Sequence, residues 1–108
     1  MLEISVRKIA QIILMARELD RAEAELRAFI EQLAQEEQSS LVAVMWIGRE
    51  SFAPDELEAA KKIAEDEATI PTADYLLGSP HLSDHLENGL DALGISVRDE
   101  ESNLVTGR

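Results

Sequence analysis

Leu41-Val42-Ala43-Val44-Met45-Trp46-Ile47-Gly48-Arg49 opens with the longest unbroken apolar run in the chain, carries its only tryptophan, and closes on a glycine and an arginine. A run of this length fits a buried strand or a buried helix, because periodicity does not separate the two. Its valines, isoleucine and tryptophan favour a strand. No second β-rich run is present to pair with it, however, and a lone strand would leave its backbone N–H and C=O groups unbonded. The run is therefore read as a central helix over about residues 36–48, apolar nearly all round and wrapped by other helices, with Gly48 as its stop. This choice makes the fold all-α: a compact bundle of five or six helices in a single domain over residues 1–95. Its core anchors are Val44, Met45, Trp46, Leu86 and Leu90, and residues 96–108 are expected to form a loose or partly docked tail.

Toward the amino terminus, residues 5–38 contain neither glycine nor proline. Ser5 suits a helix cap, although Arg7 and Lys8 in the first turn oppose the helix dipole. Ile9, Ile12, Ile13, Ala16 and Leu19 make one apolar face, and Ala22, Leu26, Phe29, Ile30 and Leu33 make another. The segment reads as one long helix or as a helix pair. Asp20 and Glu23 have the spacing of a capping box that would start a second helix at Arg21. Against a break, Ile12, Ala16, Leu19, Leu26, Ile30 and Leu33 keep a seven-residue phase with only Glu23 out of pattern, so the reading leans toward a continuous or gently bent rod. Such a rod would offer Leu19, Leu26, Ile30 and Leu33 to a second copy, and a homodimer is expected.

Toward the carboxy terminus, Pro54 stands at a first helical position with Asp55 and Glu56 behind it, opening a helix that runs to about Ala68. Its apolar face is Leu57, Ala60, Ile63 and Ala64. Pro71 restarts the chain in a short helical piece ended by Gly78. Ser79 and Pro80 then read as the cap and first-turn residue of a last helix, with the stripe Leu82, Leu86, Leu90 and Leu93 and an end at Gly94.

The 108 residues carry 22 acidic and 10 basic side chains, for a net charge of −12. A field of that sign repels phosphate backbones and anionic lipid, so no nucleic-acid or membrane partner is expected. There is no cysteine, which excludes disulfides and thiolate chemistry and fits a reducing cytoplasmic location. The apolar amino terminus is broken by Arg7, Lys8 and Gln11 and lacks a cleavage site, and no segment reaches the ~20 apolar residues of a membrane span. Soluble protein is expected.

Three groups have chemical potential. His81, Asp84 and His85 place two imidazoles four residues apart on one helix face with a carboxylate beside them, a partial metal-ligand set. No third histidine exists to complete a tris-imidazole site, and the glutamate of an HExxH motif is missing. The plain alternative is two amphipathic residues at a helix start with Asp84 suiting the dipole. Arg49, beside Trp46, follows a helix end, where it bonds the last carbonyls, stacks on a ring, or holds an anionic ligand. Thr72, Asp74 and Tyr75 suit capping and packing, with Asp74 and Tyr75 joining Arg49 as candidate ligand-binding residues. Hydrolase, P-loop and dinucleotide signatures are absent.

Through Met45-Trp46-Ile47-Gly48-Arg49 and Thr72-Ala73-Asp74-Tyr75-Leu76-Leu77-Gly78-Ser79-Pro80, with Leu82, Asp84, Leu86, Glu87, Gly89 and Leu90, the chain resembles a family of small helical proteins. It is a bacterial, mainly proteobacterial, family known only as a domain of unknown function. The resemblance spans roughly residues 4–95. It implies a compact all-helical domain with no assigned activity, substrate or cofactor. Family members tend to have a longer acidic connection where this chain has Asp20 to Glu25, and apolar or aromatic residues where it has His81 and His85.

These readings lead to a non-enzymatic protein-interaction module that self-associates and carries no cofactor, its other protein partners being unknown. The alternative is a small-ligand or metal-binding protein with a site near Arg49, Tyr75 and the His81, Asp84 and His85 group.

Overall fold

A computed structural model describes residues 2–95, and the expected tail at 96–108 lies outside them. Among the described residues the chain is all-helical and compact, with six α-helices and no strand. They are α1 (Val6–Arg17), α2 (Leu19–Glu31), α3 (Gln35–Gly48), α4 (Leu57–Asp66), α5 (Thr72–Leu77) and α6 (Leu82–Ala92), with a 3-10 turn at Pro54–Glu56 leading into α4. The apolar run is the second half of α3. Residues 39–45 of that helix are all buried, as is Ile47, so it has almost no solvent face.

α3 packs against α6, α4 and α5. α6 also contacts α1, α1 contacts α2, and α2 contacts α5, so five helices close a ring and α4 attaches to α3. Ile9, Ile12 and Ile13 of α1, Leu26 and Ile30 of α2, and Leu82, Leu86 and Leu90 of α6 fill the interior together with Leu41, Val44 and Met45. Four of the five anticipated anchors, Val44, Met45, Leu86 and Leu90, are completely buried. Trp46 is half-buried and packs on the edge of this cluster, because it emerges where α3 leaves the ring.

The long amino-terminal segment is a helix pair, which corrects the leaning toward a continuous rod. Glu18 leaves helical geometry at φ −121° and ψ 45°, so the chain turns between α1 and α2 and the two pack on each other. The physical reason is burial. A straight rod would leave one of its two apolar faces uncovered, whereas the turn lets α1 and α2 both reach the same core.

Local chemistry at the helix ends agrees with the ring. Ser5 Oγ accepts from the Lys8 N–H at 3.1 Å. Lys8, poorly placed for the α1 dipole, reaches Glu37 in the first turn of α3 at 2.7 Å. Glu37 also accepts from the Ala34 N–H at 2.8 Å; Ala34 has no side-chain acceptor, so only one arm of a capping box forms. Gln38 donates to the carbonyls of Ile30 and Leu33, fastening the end of α2 to the start of α3. Buried Ser40 accepts from the Glu3 N–H at 2.9 Å, which docks the amino-terminal residues on α3.

Gly48 and Gly89 explain how closely α3 and α6 meet. A Cβ on Gly48 would stand 1.6 Å from the His85 carbonyl oxygen, and one on Gly89 would stand 2.1 Å from the Val44 carbonyl oxygen. Both obstacles are backbone and neither can rotate away. α3 ends at Gly48, the stop expected from the sequence, but the left-handed residue of the ending is Glu50, at φ 67°. There the Ser51 N–H donates to the Trp46 carbonyl and the Glu50 N–H to the Ile47 carbonyl, the paired bonds of a Schellman ending. Gly94 closes α6 through the same two bonds at φ 79°. Ser79 and Pro80 do not cap α6. The Ser79 hydroxyl donates to the Tyr75 carbonyl at 2.9 Å, and His81, left-handed at φ 58°, precedes the helix.

Gly89→Ala is expected to lose about 1–3 kcal/mol, more than the ~1 kcal/mol that alanine gains in helix propensity; equal or greater resistance to urea would refute the tight crossing. Glu50→Gly, which relieves a left-handed glutamate, is expected to gain about 0.5–1 kcal/mol in the same assay. The Glu37 carboxyl is held below its ordinary range, first by the Lys8 hydrogen bond and then by the Ala34 N–H. Its contribution is therefore complete above the unfolded carboxyl value of ~4.3 and is lost as pH falls through the lower folded value. In Glu37→Gln, the loss of stability on acidification should be shallower than in the parent, as read by urea midpoints across pH 2 to 6.

Candidate functional site

The end of α3 and the start of α5 bring three polar-tipped side chains together. The Trp46 indole N–H donates to the Tyr75 hydroxyl oxygen at 2.8 Å. On its other side the indole stacks on Phe52, centroids 5.6 Å apart and planes 25° from parallel. The left-handed turn at Glu50 makes that stack possible, since it folds the chain back after α3 and brings Phe52 over the helix end. Arg49 lies at the rim: its Nε donates to Ser51 Oγ at 3.0 Å and its Nη2 to the Tyr75 hydroxyl at 3.4 Å. Arg49 makes no ion pair among the described residues, despite the acidity of the chain.

Beside this corner lies a cleft of about 240 Å³. α3 contributes Val42 and Trp46, α4 contributes Ala64, and α5 contributes Thr72 and Tyr75. The connection between α4 and α5 supplies Glu67, Ala68, Thr69 and Ile70. Ile70 is 52% exposed, the one large apolar side chain so exposed among the described residues. Trp46 and Tyr75 thus serve both the cleft wall and the hydrogen-bonded corner.

Of the anticipated ligand residues, Arg49 and Tyr75 meet and Asp74 does not join them. Asp74 forms an ion pair with Arg27, tying α5 to α2, and this hydrogen bond holds the Arg27 guanidinium protonated above its ordinary range. Helical geometry accounts for the divergence, because adjacent residues on a helix point about 100° apart. The His81, Asp84 and His85 set does not assemble as three donors: no group of three His, Cys, Asp or Glu side chains among the described residues is arranged to hold a metal ion. His81 sits before the helix in a left-handed conformation, out of the regular four-residue spacing. The two imidazoles meet edge-on with centroids 6.4 Å apart, and His85 Nδ1 is buried without a hydrogen-bond partner.

The proposed interaction stripe is spent inside the chain. Leu26 and Ile30 are fully buried, Leu33 is 8% exposed, and Leu19 is half-buried against the core. A second copy cannot reach Leu26 or Ile30 without detaching α2. Of the cleft residues, Val42 and Ala64 read in the sequence as core-facing apolar positions, and Thr69 and Ile70 carry no assigned role there. The one signal for them was an isoleucine isolated in a polar connection just before Pro71.

The fold and this corner define a small all-α domain with an aromatic-walled cleft, and no described helix is long and apolar enough to cross a membrane. The chain belongs to the family described as Protein of unknown function (DUF3775), whose model matches residues 23–95. That match begins within α2 and takes in the whole Trp46, Arg49 and Tyr75 corner. No curated protein and no solved structure matches the chain.

Tyr75→Phe removes the acceptor of the tryptophan N–H and is expected to cost about 0.5–1.5 kcal/mol. It should also shift the emission of Trp46, the sole tryptophan; an unchanged spectrum and midpoint would mean that the bond is not made in solution. Leu26→Glu should unfold the chain, with a loss above ~3 kcal/mol. A folded variant with a halved native mass would instead place Leu26 in a dimer interface.

Proposed function

We propose that this protein is a non-enzymatic binding module whose recognition site is the cleft between α3 and the connection from α4 to α5. The observation that carries the reading is the union of an apolar recess with a hydroxyl-held cation. Val42, Trp46, Ala64 and Ile70 offer apolar surface, and a few polar groups stand among them. Arg49 does not line the cleft itself but is held beside its Tyr75 wall by bonds to Ser51 and Tyr75. Small-molecule sites have this composition, largely apolar walls with a small number of placed polar groups. A volume of about 240 Å³ lies below the ~300–1,000 Å³ of sites for drug-sized ligands, which suits a small molecule.

This reading keeps the expectation of a non-enzymatic binding protein and moves its surface from α2 to the α3–α5 corner. It favours the small-ligand alternative, since Arg49 and Tyr75 come together there. The absence of cysteine and the presence of only two histidines in the sequence also favour binding over catalysis.

Titration with 1-hexanol, a neutral apolar probe, should move the amide resonances of residues 67–72 and the Trp46 indole resonance, and leave those of α1 in place. Ala64→Phe, which fills the recess, should abolish the shifts while the chain remains folded. Shifts spread evenly over the surface, or none at all, would end the reading.

A further inference from the structure

We infer that the ligand of this cleft is a small apolar carboxylate, its hydrocarbon body lodged in the recess and its carboxylate taken by Tyr75 and Arg49. The inference rests on the cleft reading above and adds the chemical class. It follows from which hydrogen-bonding capacities the corner has already used.

A tyrosine hydroxyl has one hydrogen to donate and lone pairs to accept with. At Tyr75 the oxygen receives two donors, the Trp46 indole N–H at 2.8 Å and the Arg49 Nη2 at 3.4 Å. Its own hydrogen is donated to nothing among the described residues. Arg49 is a donor-only group with five N–H hydrogens in a planar fork, and its two bonds to Ser51 and Tyr75 leave others unspent. The corner therefore presents donors and positive charge, and its complement is an anionic acceptor.

Several other cations in the chain already have such an acceptor. Lys8 pairs with Glu37, Arg27 with Asp74, and Lys62 with Asp66. Arg49 pairs with none of the described carboxylates, although the sequence supplies 22 acidic residues. Among the described residues, then, its charge has no carboxylate partner. The Tyr75 hydroxyl hydrogen and the unspent N–H groups of the Arg49 guanidinium suit a carboxylate, which accepts through two oxygens in a plane.

The apolar half of the ligand is set by the walls. Tyr75 joins the two parts: its hydroxyl meets Trp46 and Arg49, and it lines the cleft together with Trp46, Val42 and Ile70, while Arg49 reaches the cleft only through Tyr75. A bare inorganic anion would leave that surface unused. Glu67 also lines the cleft and repels any negative charge near it, so the anionic end belongs at Tyr75 and Arg49, the hydrocarbon body fills the recess, and a second carboxylate is disfavoured.

The test compares three six-carbon probes on the full chain, hexanoate, 1-hexanol and hexylammonium, by amide shifts of residues 67–72 and by Trp46 fluorescence. Hexanoate should bind roughly tenfold or more tighter than hexanol, since a hydrogen bond to a charged acceptor contributes ~1.5–3 kcal/mol. Added salt should narrow that preference, and so should Arg49→Gln and, independently, Tyr75→Phe. Equal binding of hexanoate and hexanol would overturn the carboxylate while leaving the cleft reading standing. Tightest binding by hexylammonium would overturn it in favour of Glu67 as the recognising group. No localised shift with any of the three would remove the cleft reading and this inference together.

Discussion

The close crossing of α3 and α6 is the constraint on which the arrangement depends. Backbone meets backbone where Gly48 faces the His85 carbonyl and Gly89 faces the Val44 carbonyl. Only residues without a Cβ allow that distance. Because α6 lies so near, its leucines reach the same interior as Val44 and Met45, and α6 can contact α1 on its other side. The ring closes through α2 and α5, and the remaining helix attaches to α3. A side chain at either glycine would push α6 outward and open the core along its length.

The crossing also sets the position of the candidate site. α3 ends immediately beyond it, so Trp46 leaves the interior half-covered and Arg49 comes out at the surface. The turn at Glu50 then returns Phe52 to the indole. A left-handed glutamate costs energy that a glycine would not, and strain of this kind persists where surrounding contacts hold it. Here those contacts are the two Schellman bonds and the Trp46–Phe52 stack.

Charge is distributed so that ion pairs join elements remote in sequence. Lys8 and Glu37 link α1 to α3, Arg17 and Glu87 link α1 to α6, and Arg27 and Asp74 link α2 to α5. Each is partly exposed, and such pairs contribute little stability singly. Their value is orientation, since a chain so acidic must spread its cations to limit self-repulsion. Arg49 stands apart from this pattern because its neighbours are hydroxyls.

The sequence by itself determined the helical class, the burial of residues 41–45 and the stripe of α6, because these follow from local apolar periodicity and from the lack of any partner for a strand. It also placed Arg49 and Tyr75 among the candidates, since helix ends and aromatic hydroxyls are visible one residue at a time. Only the tertiary structure decided that α1 and α2 turn at Glu18, a matter of which faces could be covered at once. Likewise Leu26 and Ile30 were legible as apolar, but whether they meet a second copy or their own core depends on where the chain returns. Asp74 shows the limit most plainly: its neighbour in sequence is Tyr75, its partner in space is Arg27, and no local rule couples residues 47 positions apart. Gly48 belongs to the same class: α3 does end there, but the ending is not what requires a glycine. The reason for it is a carbonyl on another helix, which exists only once the two helices have packed.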